Sequence, residues 1–168
     1  QQNLFVMISD QGEILLYQGS YPGSATWGLL GTYFIAPPLN PRSIIRWGGN
    51  LAVMTKDGIV LLSDVISLTG VGISYLSDKI NSYFVSAIGT SPLNPIYAMG
   101  AYYPVGQFLA FLLFDSNVGL YTILIYNTNT GSWWNWLFNN IGLTLGIGGF
   151  SNKLYVCGGT TVATNPSV

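Results

Sequence analysis

Apolar residues in this chain come in short runs, each closed by Gly, Asn, Asp or Pro. Four of the runs open alike, with a polar residue followed by apolar ones. They are Asn3-Leu4-Phe5-Val6-Met7, Asn50-Leu51-Ala52-Val53-Met54, Gln107-Phe108-Leu109-Ala110-Phe111 and Lys153-Leu154-Tyr155-Val156-Cys157. They recur roughly every 50 residues, close to the period of about 40–45 that marks the strand-built blades of a β-propeller. The pattern therefore predicts an all-β chain, a β-propeller of three to four blades that forms part of a larger one. Closed propellers have about four to eight blades, and an open array leaves sheet edges uncovered.

Within this frame most elements are strands. Leu4 to Ile8 and Ile14 to Tyr17 flank Ser9-Asp10-Gln11-Gly12, a turn rich in residues that tolerate unusual backbone angles. Trp27 to Ile35 is a third strand. Ala36 to Pro41 must break the pattern, because its prolines cannot donate ladder hydrogen bonds. Ser43 to Trp47 and Leu51 to Thr55 pair across Gly48-Gly49-Asn50, and Asp57-Gly58 is read as the tip of the next hairpin, into Ile59 to Leu62. Ile96 to Tyr102, Phe108 to Phe114, Leu120 to Tyr126 and Ser132 to Leu137 are further strands. Leu143 to Ile147 and Leu154 to Cys157 follow, and the Thr- and Asn-containing C-terminus is expected to be loosely ordered.

One stretch departs from the strand pattern. Ile80, Phe84, Ala87 and Ile88 fall at helical spacing, with Ser77 in the N-cap position and Asp78 in the first turn. They predict a helix over 77–88, set in an insertion of about 64–90 within one region spanning 1–168. Thr90 to Pro95 reads as a loop.

Composition adds a constraint on surroundings. Charged residues are 7% of the chain and apolar ones 49%, whereas about 25% charge is usual. Much of the surface is therefore expected to lie against other protein. Lipid fits less well, because the longest apolar run, Phe108 to Phe114, is far short of the about 20 residues of a spanning helix. That run does not alternate either, so it predicts a strand buried on both faces. The net charge is −1, and Arg42, Arg46, Lys56, Lys79 and Lys153 are scattered, which argues against tight nucleic-acid binding. No secretory signal is visible.

Catalytic chemistry finds little support. The chain has no His, which removes the commonest general base and most zinc sites. Cys157 is alone and reads as a small core residue. Asp10, Asp57 and Asp115 fall in or beside hairpin turns, where Asp bonds its own backbone. Gly48-Gly49 and Gly146-x-Gly148-Gly149 lack the Lys-Ser/Thr and helix of a phosphate loop and read as turn glycines. Trp133-Trp134-x-Trp136 is the most unusual cluster. Alternation places Trp134 and Trp136 on one face and Trp133 on the other. Trp134 and Trp136 are the expected subunit-contact residues. No catalytic, cofactor-binding or metal-binding residue is assigned.

Several of these segments, taken in order, resemble tail-hub and packaged-DNA stabilisation (head-to-tail connector) proteins of short-tailed bacteriophages. The densest part runs from Pro41 to Ser67, with Arg42, Gly48-Gly49-Asn50-Leu51, Thr55-Lys56-Asp57-Gly58 and Leu62-Ser63. Upstream, Gly12-Glu13, Tyr17-Gln18-Gly19, Trp27, Gly31 and Tyr33-Phe34 are similar to that family's early strand pair. Downstream, Ser77-Asp78-Lys79-Ile80 resembles the start of its inserted helix. Asn127-Thr128, Thr130-Gly131-Ser132 and Trp133 resemble its next hairpin. The low charge and extra aromatics depart from the family pattern. The resemblance implies a non-enzymatic virion protein of the phage tail, without cofactor. It would form a homo-oligomeric ring below the portal, with the portal or an adaptor and other tail proteins as partners. DNA would pass through the ring without being held tightly, and no membrane would be involved. The rival reading is a glycan- or ligand-binding propeller that uses the Trp133 to Trp136 cluster.

Overall fold

Local pairing accounts for nearly every strand. The computed structural model describes residues 4–67, 72–89, 94–138, 141–148 and 153–159. Among these, β1 (Leu4–Ile8), β2 (Glu13–Gln18) and β3 (Gly28–Phe34) form a first sheet. β4 (Ile44–Trp47), β5 (Asn50–Met54) and β6 (Ile59–Leu61) form a second. β7 (Met99–Tyr103), β8 (Phe108–Asp115), β9 (Leu120–Asn127) and β10 (Trp133–Phe138) form a third, and β11 (Ile141–Gly148) pairs with β12 (Lys153–Gly159) in a fourth. Every pairing is antiparallel and joins strands adjacent in sequence. The fold is mostly β, as the apolar pattern predicts, and no described sheet closes into a barrel.

Each sheet uses its two faces differently, because side chains alternate along a strand. On the first sheet, Ile14, with Val6, Ile8 and Tyr33, packs on Val53 and Val60 of the second. The opposite face of the second sheet carries Ile45, Ala52, Met54 and Ile59, which pack with Leu109, Phe111 and Leu113 of the third. The third sheet's other face carries Met99, Ala110, Leu112 and Ile123, with Leu154 of the fourth sheet against it. The four sheets are thus stacked face to face in chain order. The opening strands also lie side by side, β4 next to β7 and β7 next to β11. β8 sits in the middle of this stack, and five consecutive residues, Leu109 to Leu113, are fully buried. The non-alternating run therefore has the two-sided burial expected of it.

The repeat openings Asn50, Gln107 and Lys153 all fall where the second strand of a sheet begins. Ahead of Asn50 and Gln107, a turn from the opening strand precedes the run. The Leu4 run instead forms β1, at the edge of the first sheet.

The helical insertion is longer than predicted and its details differ. A 3-10 turn, Asp78–Ile80, leads into α2 (Asn81–Ile88), in agreement with the spacing of Phe84, Ala87 and Ile88. Two further short helices flank it, α1 (Leu62–Ile66) and α3 (Asn94–Tyr97). Leu62 is thus helical and not the end of a strand. Pro95, read as a loop residue, sits in the first turn of α3, where a missing N–H costs no hydrogen bond. Ser77 does not cap the helix. Its buried Oγ accepts from the Ile59 amide at 2.9 Å and donates to Asn81 Oδ1 at 2.9 Å, which fastens the insertion to β6. The β5–β6 turn is also displaced by one residue. Thr55 N donates to Gly58 O at 2.9 Å, so Lys56-Asp57 form its tip and Gly58 belongs to its closing pair.

Asn94 holds the far end of the insertion. Its fully buried amide donates to Ile88 O (3.1 Å) and Phe114 O (2.9 Å), and its Oδ1 accepts from Phe114 N (2.7 Å). Asn94→Ala would leave buried backbone groups unpaired, and the expected loss is about 2 kcal/mol. Chemical denaturation measures it, and an unchanged midpoint would contradict this role.

Candidate assembly surface

The third sheet's last strand is set by a side-chain-locked turn. Asn127 Oδ1 accepts the amides of Asn129 (2.9 Å) and Thr130 (3.0 Å), and Thr128 N and Oγ1 both reach Gln107 O (2.9 and 2.8 Å). The chain then enters β10 with Trp133 opposite Tyr126 and Trp136 opposite Ile123. Trp133 faces the second-sheet side. Its ring lies 5.0 Å from Tyr126 and 5.8 Å from Phe111, centroid to centroid. Trp134 and Trp136 face the other way and keep 51% and 44% of their surface exposed. Phe108 meets Trp136 edge-on at 6.4 Å. Alternation therefore divides the cluster as the sequence predicts, and the two assigned residues form an open aromatic strip on the outermost strand.

An open cleft of about 280 Å³ separates this strand from the insertion. Lys79, Ser82 and Tyr83 line one side, and Trp133, Trp134 and Asn135 the other. The Trp133 indole N–H is buried without an acceptor among the described residues. A larger hollow of about 330 Å³ lies between the β1–β2 turn and Pro38 to Pro41, and Asp10 is its one ionisable group.

The carboxylates do not converge. Asp10 and Asp57 are exposed turn residues. Asp115 is buried, with Oδ1 accepting from Asn117 N (2.9 Å) and Oδ2 from the Tyr83 hydroxyl (2.7 Å). It closes the β8–β9 turn and anchors α2, a role its turn position only half reveals. Among the described residues no group of three or more acidic, Cys or His side chains could hold a metal ion. Gly48 and Gly49 form the two-residue turn between Trp47 and Asn50. Gly146 and Gly148 lie in β11, and Gly149 is outside the described residues. Cys157 stands opposite Thr144 in the fourth sheet, but its side chain and residues 160–168 also lie outside the description.

Burial, reinforced by the hydrogen bond to Asp115, raises the Tyr83 pKa above its usual 10.0. The fold holds that proton more tightly than the unfolded chain does. Its contribution is therefore complete below pH 10 and is lost as pH rises from there through the raised value. Tyr83→Phe should cost about 1 kcal/mol at neutral pH. Wild type should then lose its advantage over the variant as pH climbs above 10. Tyr75 is also raised, by burial first, but it is present in both proteins and cancels in the comparison. Urea titrations of both proteins at neutral and alkaline pH test this, and parallel losses would contradict it.

No protein-family model and no curated protein matches this chain. No described helix is long and apolar enough to cross a membrane.

Proposed function

We propose that the chain is a structural subunit of a bacteriophage tail hub or head-to-tail connector. In this reading its sheets are blades of a β-propeller, held in a homo-oligomeric ring below the portal. The ring seals packaged DNA and later lets it pass. The observation that supports this most is the stack of four antiparallel sheets, with the opening strands of the last three side by side and the middle sheets covered on both faces. Successive blades around a propeller axis pack in the same way. The dispersed carboxylates and the exposed Trp134 and Trp136 suit an assembly role better than a catalytic one. A near-neutral surface suits a channel that must release DNA, because tight phosphate binding needs clustered Lys and Arg.

A second reading, a glycan-binding module, is favoured only by the cleft, where the Trp133 to Asn135 strand faces Lys79 and Tyr83. The two readings separate on one pair of variants. Trp134→Ala and Trp136→Ala should each change stability by less than about 0.5 kcal/mol, because both side chains are exposed. In the phage that encodes the chain they should lower its incorporation into particles, as measured by quantitative mass spectrometry of purified virions. Normal incorporation together with lost binding on a glycan array would favour the module instead.

A further inference from the structure

The outer face of the first sheet is built like a buried one. Pairing places Phe5 with Tyr17, Met7 with Leu15, Tyr17 with Leu29, and Glu13 with Phe34 on this face, opposite the face that packs on the second sheet. Trp27 stacks on Tyr17 at 5.5 Å and lies 5.8 Å from Phe5. Yet Phe5, Leu29 and Phe34 are 50%, 52% and 68% exposed, and Met7 41%. The second and third sheets cover comparable faces with the next sheet in the stack. Among the described residues the first sheet has no such neighbour on this side.

We infer that this face packs against the fourth sheet of a second copy of the chain, head to tail. The inference rests on the ring reading for its partner and on the sheet geometry for its surface. Three observations favour that occupant. First, it continues the stacking that joins the other sheets, one apolar face on the next. Second, the charges match. The first sheet's outer face carries the exposed Glu13. On β12, Leu154 turns inward against the third sheet, so the exposed Lys153 and the 47% exposed Tyr155 lie on the outward side. Third, the area favours closure. A three-stranded sheet of this length offers roughly 300 Å² of plane, below the about 800 Å² per partner of a stable interface. Two copies joined head to tail make the junction twice, roughly 600 Å² of plane and closer to that figure, and unlike surfaces close into rings where the rotation between copies closes.

Sedimentation velocity on the purified chain, over a range of concentrations, tests this. Wild type should self-associate. Phe34→Glu should raise the dissociation constant at least about 30-fold and leave the circular dichroism spectrum and melting temperature unchanged, because Phe34 is exposed. Glu13→Lys and Lys153→Glu should each weaken association about threefold, and the double exchange should restore it. A Phe34→Glu protein that associates like wild type overturns the inference, as does a double exchange that restores nothing. A wild type that stays monomeric throughout also overturns it. The tail reading is decided separately, by whether the chain is present in virions.

Discussion

Gly58→Val is expected to destabilise the protein by about 3 kcal/mol or more, a fall in melting temperature of about 6–12 °C for a chain of this size. Gly58 is buried beneath the helical insertion with φ of +155°, a backbone setting that side chains rarely adopt. A Cβ there would lie 2.5 Å from Tyr75 Cδ1, 2.7 Å from Asn81 Oδ1 and 2.9 Å from Ser77 Oγ. Those same groups tie the insertion to β6, since Ser77 Oγ receives the Ile59 amide and Asn81 Nδ2 donates to Asp57 O at 3.0 Å. The valine must therefore break two anchors as well as strain the turn. Differential scanning calorimetry measures the effect. A variant that melts with wild type would mean that the insertion does not dock here.

Gly100→Val should cost about 3 kcal/mol by a different route, overpacking between two sheets. Gly100 lies on β7 and faces the second sheet, where β4 runs beside it. Any Cβ would overlap Ile45 Cδ1 and Cγ1, and Ile45 is itself buried at 3% exposure. The glycine thus sets how closely these two opening strands approach. Combining Gly100→Val with Ile45→Ala should recover about 1–2 kcal/mol relative to the sum of the single changes. Strict additivity in that cycle would place the two residues out of contact and undo the stacking described between the second and third sheets.

Sequence pattern reaches this fold unevenly, and the reasons are local. Hairpins whose tips carry their own turn chemistry are legible. Gly12 N donates to Ser9 O at 3.1 Å in the first, and Gly48-Gly49 makes a two-residue turn in the second. Ile59 to Leu62 reads as one apolar run, and α1 starts inside it at Leu62, its five residues too few to leave a periodic trace. Asp57-Gly58 misleads by one position because Gly58 serves close packing rather than the tip of the turn. Ser77 fits an N-cap in sequence, yet its hydroxyl is taken by a strand 18 residues away in the chain. For the surface, alternation sorted Trp134 and Trp136 from Trp133 correctly. It did not flag the outer face of the first sheet, although Leu4 to Ile8 is apolar at every position and so must be apolar on both faces. The 280 Å³ cleft depends on the docking of α2 on β8, across from β10, and has no signature along the chain.

If the chain is the phage tail subunit proposed above, cryo-electron microscopy of intact particles carrying it tests the central claim most directly. The account predicts a ring below the portal in which the four antiparallel sheets radiate as blades, with Trp134 and Trp136 against protein density. Particles whose tail and connector density is fully traced by other chains, with this one absent, would contradict it.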